Sequence, residues 1–177
     1  TYHHLLLDGS SVTALLEYFA QQYNQPSEVQ ELNDYGVYAR WIQHSHRQAS
    51  IEAWRQYASG ITLPSPSARQ ESDDQTHEHA QYLQAEEVQR IVAMARKNHL
   101  TLNSTFQIVW AYTLMQSNGG AAVCVGSPTM IKPLDGTLDA VVGLCITTLP
   151  YITSFNNGTS LIDIAVQHQR HWGGLIE

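Results

Sequence analysis

Two short, uninterrupted apolar runs place the tightest limits on how this 177-residue chain can fold. Ala121-Ala122-Val123-Cys124-Val125-Gly126 and Leu144-Cys145-Ile146-Thr147-Thr148-Leu149-Pro150-Tyr151-Ile152 are apolar and largely β-branched or aromatic. Runs of this kind read as strands with both faces covered. Helical periodicity surrounds them. Val88, Ile91, Val92 and Ala95 mark one face of a helix over Glu86 to Asn98, with acids in its first turn. A second helix is expected from about Asn103, its N-cap, to Gln116, ended by Asn118-Gly119-Gly120. Its Phe106, Ile108, Val109, Trp110, Ala111, Tyr112 and Leu114 are apolar nearly all round, which predicts a buried helix. The last helix follows the Asn156-Asn157-Gly158 turn. Ser160-Leu161-Ile162-Asp163 opens it like a capping box, and Leu161, Ile164, Ala165 and His168 share a face. His79-Ala80-Gln81-Tyr82-Leu83 reads as a short strand. Strands alternating with helices point to a layered α/β fold.

The chemistry-bearing stretch lies at the other end of the chain, in Tyr2-His3-His4-Leu5-Leu6-Leu7-Asp8-Gly9-Ser10-Ser11. Val12, Leu15, Leu16, Phe19 and Tyr23 follow at the spacing of an amphipathic helix, with Ser10 or Ser11 as the expected cap. His4 then lies on the segment entering a helix, with Asp8 and Gly9 at its positive end. An imidazole there can take a proton from an attacking nucleophile, and Asp8 can hold the loop through an ion pair. A glycine lets backbone N–H groups approach a substrate oxygen. Residue types alone favour a purely structural histidine pair over a catalytic one. Two more helices are expected, over Asp34 to Ile42 and over Ser50 to Tyr57, the latter ending near Gly60. Residues 64–76, rich in Pro, Ser and charge, form a linker that divides the chain into residues 1–63 and 77–177.

Composition narrows the function classes. Charged residues make up 14% of the chain against the roughly 25% usual for soluble domains, so much of the surface is expected to be interior to something larger. A net charge of −7 argues against a nucleic-acid surface. Cys124 and Cys145 sit in strand-like runs and read as buried thiols of a reduced, cytoplasmic protein. No apolar run approaches the ~18–20 residues of a membrane span, and no signal peptide is visible, so no membrane partner is expected. The chain, opening without Met, is read as an excerpt of a longer protein. His44 with His46, His77 with His79, and His168 with His171 lack cysteine or carboxylate partners at ligand spacing, so no metal is expected. Asn103-Ser104-Thr105 and Asn157-Gly158-Thr159 match glycosylation sequons but have no secretory context.

His3-His4-Leu5-Leu6-Leu7-Asp8-Gly9 resembles the HHxxxDG signature of condensation domains from nonribosomal peptide synthetases. Later segments resemble the same family in the same order. Asp34-Tyr35 with Tyr38 is similar to its DYxxW segment, with Tyr38 where Trp is usual. Residues from Ala49 and Ser50 to Gly60 follow an AxxxWRxxxxG pattern. Val142 to Pro150 resembles (V/I)GxFVNTLP, with Cys145 for Phe and Thr147 for Asn. Ser10 stands where many members have Trp, and Lys132 where they carry Arg, which keeps the charge but loses the planar fork. The resemblance covers nearly the whole chain, yet only the middle of such a domain.

It implies an α/β, two-lobed fold of the chloramphenicol acetyltransferase type. Residues 1–63 would close the first lobe and residues 77–177 open the second. It implies amide bond formation between a donor aminoacyl or peptidyl thioester and the α-amino group of an acceptor aminoacyl thioester. Both would ride on phosphopantetheine arms of upstream and downstream peptidyl carrier proteins beside an adenylation domain, with no cofactor bound by the condensation domain itself. His4 would orient or deprotonate the amine, and Gly9 would offer an N–H to the oxyanion. His3 and Asp8 would be structural, Asp8 paired to an arginine that need not lie within this chain, and Gly143, Thr147 and Thr148 would belong to the second-lobe tunnel motif. Rival readings are an epimerization domain, which shares the signature, and a non-catalytic docking domain. A plant-type acyltransferase would need a DFGWG motif, which is absent.

Overall fold

The computed structural model describes residues 3–26, 33–45, 47–64, 78–133, 135–138, 141–156 and 158–176. The linker beyond Pro64, together with His46, His77 and Asn157, lies outside the described residues. The elements in order are α1 (Gly9–Asn24), α2 (Tyr35–His44), α3 (Arg47–Ala58), α4 (Ala85–Lys97), α5 (Leu102–Asn118), β1 (Ala122–Met130), β2 (Ile146–Ser154) and α6 (Leu161–Ile176). β1 and β2 pair in a two-stranded sheet. The N–H of Ile131 donates to Cys145 O at one end and that of Phe155 to Ala121 O at the other. The strands therefore run antiparallel. Both outlast the apolar runs that announced them.

The chain divides into two compact units, each built from separate stretches. The first comprises residues 1–57 and 126–149, with residues 176–177. Tyr38, Leu138, Val141 and Cys145 form its core, with Trp41 packed against them. Asp34 caps α2 by accepting from the Gly36 N–H, and a parallel bridge joins Asn33 to Val141. α1 differs from expectation in two ways. Its cap is Asp8, not Ser10 or Ser11, because Asp8 has extended backbone and its carboxylate reaches the Ser11 N–H. Its apolar stripe is also open: Leu16, Phe19 and Tyr23 are 65%, 69% and 81% exposed, since no described element lies over them.

The second unit comprises residues 58–125 and 150–175. Ala95 of α4, Leu100, Ile108 of α5, and Ile164 and Ala165 of α6 form its core, flanked by Phe155 and Val166. The turn from α4 to α5 passes through His99 at φ 56°, and Gln169 of α6 clamps it, accepting from Thr101 N–H and donating to His99 O. Thr101, not Asn103, caps α5, because its hydroxyl accepts from Ser104 N–H and Leu102 is already helical. Nor is α5 buried all round. Its buried residues are Ser104, Thr105, Ile108 and Ala111, whereas Phe106, Val109 and Trp110 are each more than half exposed. The unit's core meets one stripe of the helix only. Residues 79–83 do not form the expected strand, since no strand among the described residues supplies a ladder. Leu83 instead lines a shallow groove with Glu87, Arg90, Ile91 and Met94 of α4. Ser160 does cap α6, and Leu161, Ile164, Ala165 and His168 face inward as expected.

Candidate functional site

The site is built from a turn, a helix start and the segment leading into β2, all within the first unit. Residues 4–6 turn, closed by the Leu6 N–H donating to His3 O at 2.9 Å. His3 Nδ1 accepts from Leu5 N–H at 3.0 Å, which ties that ring to the backbone. His4 stays solvent-exposed on the turn. Four residues on, α1 begins, and the N–H groups of Gly9 and Ser10 lead it, where no preceding turn supplies acceptors. They form the positive end of the helix.

Asp8 is fully buried and accepts three hydrogen bonds. Oδ1 takes the Ser10 hydroxyl at 2.7 Å and the Ser11 N–H at 2.9 Å, and Oδ2 takes the Cys145 N–H at 2.9 Å. Among the described residues two amides and a hydroxyl satisfy the carboxylate. Burial pushes its pKa up, but the N–H and O–H donors outweigh burial and bring it down to about 2. Asp8 is therefore an anion at neutral pH and joins the histidine segment to residue 145.

Ser11 repeats the link one turn further along. Its Oγ donates to Gly143 O at 2.7 Å and accepts from Gly143 N–H at 2.9 Å, so one hydroxyl satisfies both polar groups of a buried residue. Tyr35 completes the arrangement, its hydroxyl donating to Leu144 O at 2.8 Å. Its ring lies so close over Gly143 that a Cβ there would clash with the ring carbons, which is why the position requires glycine. Tyr38 packs beside it at 5.5 Å between ring centroids. Burial, with Cys145, Tyr35 and Asp8 adding to it, raises the Tyr38 hydroxyl to about 12. Burial also raises the Cys145 thiol, partly opposed by the Lys132 cation.

Of the residues singled out in the sequence, Asp8 and Gly143 thus join one hydrogen-bonded cluster through Ser11 and Cys145. Thr147 and Thr148 lie exposed on β2, with the Thr148 methyl against Gly126. Among the described residues the side chains of His4 and Thr147 make no hydrogen bond, and no three His, Cys, Asp or Glu side chains group as a metal site. Cys124 is exposed, against expectation, because it lies on the outward side of β1. No described helix is long and apolar enough to cross a membrane. Sequence reasoning missed Ser11 and Tyr35 as members of the cluster. The available signal was a second polar residue past the cap and the spacing of Tyr35 after Asp34.

The condensation-domain family model matches residues 1–172. The chain is part of a condensation domain of the nonribosomal peptide synthetase family. This condensation segment is 29% identical over 175 residues to a linear gramicidin synthase of Brevibacillus parabrevis, covering 92% of the chain and 3% of that protein. It is 25% identical over 177 residues to gramicidin S synthase 2 of Brevibacillus brevis, covering 93% of the chain and 4% of that protein. Among solved structures, the first condensation domain of the CDA synthetase superposes with a TM-score of 0.74 at 15% identity, covering 98% of this chain and 41% of that one. The segment thus spans under half of the solved domain and a few per cent of these synthetases. The superposition establishes the α/β condensation fold, of the chloramphenicol acetyltransferase type, for this part of the domain.

Proposed function

We propose that this segment supplies the reaction centre for amide bond formation between two carrier-bound thioesters. The observation that carries the reading is the exposed His4 turn set immediately before an Asp8-capped helix start. The acceptor's α-amino nitrogen attacks the donor thioester carbonyl. The C–N bond forms, the C–S bond breaks, and the amine proton passes through His4 to the departing phosphopantetheine thiolate. Positioned general-base help contributes roughly 10²–10⁴-fold, and holding both reactants in line contributes more. The Gly9 N–H faces the developing oxyanion at the positive helix end. His3 and Asp8 shape the loop, while Gly143, Thr147 and Thr148 belong to the second-lobe motif. Residues 1–63 then close the first lobe and residues 77–177 open the second, joined by the 64–76 linker. The domain binds no cofactor of its own in a cytoplasmic assembly. The phosphopantetheine arms come from upstream and downstream peptidyl carrier proteins beside an adenylation domain.

The test uses the complete protein with two loaded carriers. His4→Ala is expected to abolish amide product while leaving the melting transition intact, and full turnover in a well-folded variant overturns the role. Wash-in of solvent deuterium at the α-carbon of a single loaded aminoacyl carrier, without condensation, would instead assign an epimerase.

A further inference from the structure

Three consecutive residues before β2 are held by three side chains from the His4 loop and the helices that follow it. Ser11 takes both backbone groups of Gly143, Tyr35 takes the carbonyl of Leu144, and Asp8 takes the N–H of Cys145. All six residues belong to one compact unit. Gly143 and Cys145 are buried, so water cannot replace the lost partners of their backbone groups. Two residues after Cys145, the chain reaches the exposed Thr147 of β2. A strand entered one residue out of register presents its alternate face, so whatever fixes residues 143–145 fixes which side chains β2 exposes.

We propose that Ser11 and Tyr35 are positioning residues of the condensation reaction, locking the entry of β2 in a single register against the loop that carries His4. The proposal rests on the reading given under Proposed function. Neither residue touches substrate. Ser11 acts by saturating Gly143, and Tyr35 acts by covering Gly143 and fixing Leu144. A serine hydroxyl fits because it donates and accepts at once. A glycine fits at 143 because the Tyr35 ring occupies the space of any Cβ.

The experiment pairs kinetics with amide hydrogen exchange in the complete protein. Ser11→Ala should lower kcat at least about tenfold with KM nearly unchanged, since small misplacements of reacting groups cost up to ~100-fold. Exchange over residues 142–146 should rise while that of α4 and α6 stays as in the parent. Gly143→Ala should lower kcat about 100-fold, and Gly143→Ala combined with Tyr35→Ala should be no slower than Tyr35→Ala alone, because the clash needs the ring. Tyr35→Phe, which keeps the ring, should lose less than Tyr35→Ala. An unchanged kcat in Ser11→Ala, a loss that only follows the unfolded fraction, or strictly additive effects of the 35 and 143 substitutions overturns the proposal. Should the parent form no amide, the proposed function fails, whereas the exchange measurement still decides whether Ser11 pins the segment.

Discussion

Among the described residues each unit holds a buried ionisable side chain hydrogen-bonded to backbone, Asp8 in one and His168 in the other, and the two meet opposite fates. In the first, Asp8 is enclosed by N–H and O–H donors and stays charged, with its pKa down to about 2. In the second, His168 lies against the Tyr151 ring at 3.9 Å between centroids, its Nε2 donating to Ile152 O at 2.7 Å. Burial there lowers its pKa below 6.5; the Ile152 carbonyl opposes the shift and repulsion from His171 adds to it. Burial disfavours charge in both places. What differs is the neighbours: amide hydrogens converge on Asp8, while an aromatic face and Trp172 surround His168. The first unit uses its buried polar group to tie together distant stretches of chain, and the second fills a core.

The largest effect expected is that of Asp8→Ala. It strands the Cys145 N–H in a buried site along with the Ser11 N–H, and stranded donors cost about 1–3 kcal/mol each. Denaturant unfolding of the complete protein should show a loss of about 3 kcal/mol. Asp8→Asn, which keeps an acceptor oxygen, should lose less. A cost below about 0.5 kcal/mol for the alanine variant, the range of an ordinary surface change, would erase the contrast between the two units.

Acid separates the two regions next. Both groups have depressed folded pKa values, so in each case the unfolded chain binds protons first and stability falls with falling pH. For His168 the loss begins as pH drops below 6.5, the ordinary value of the group. For Asp8 nothing is lost until pH falls below 3.8, and the loss continues toward 2. Its size is about 2 kcal/mol at full protonation. Hydrogen exchange corrected for intrinsic rate, followed from pH 7.5 to 2, should show α6 loosening as pH drops below 6.5 while residues 142–146 hold until pH falls below 3.8. His168→Phe should remove the first step and leave the second. Simultaneous loosening of both stretches would show that the units do not open separately.

What could be read in the sequence follows the range of each interaction. Periodicity located α1, α2, α4 and α6 because the spacing of apolar residues along a helix is a local property, whether or not a described neighbour covers the stripe, as α1 shows. Caps were harder. Asp8, Ser10 and Ser11 are all good N-cap types, and Thr101 and Asn103 likewise, so residue type does not choose among them. In α1 the choice is reinforced from Cys145, 137 positions away. The exposed face of α5 and the unpaired 79–83 segment failed for the same reason from the other side: an apolar pattern tells what a segment can bury, not whether a neighbour is present. The motif residues Asp8 and Gly143 stood out in the sequence, yet Ser11 and Tyr35 became visible only once the chain had brought Gly143 to them.

Ser160 gives the smallest effect and the sharpest control. Like Asp8, it caps a helix, with its hydroxyl accepting from Asp163 N–H at 3.1 Å and donating to Asp163 Oδ2 at 2.6 Å. Unlike Asp8, it is exposed, and those partners lie within three residues. Ser160→Ala should therefore cost only what a local cap is worth, about 1 kcal/mol, because water reaches the freed amide. Since both substitutions remove an N-cap, the excess cost of Asp8→Ala over Ser160→Ala measures burial and the long-range bond to Cys145. That excess should shrink when Cys145 is already displaced, as in Gly143→Ala, whereas the Ser160→Ala cost should be the same in either background. Equal costs for the two caps would mean that the link across 137 positions contributes nothing beyond closing a helix turn.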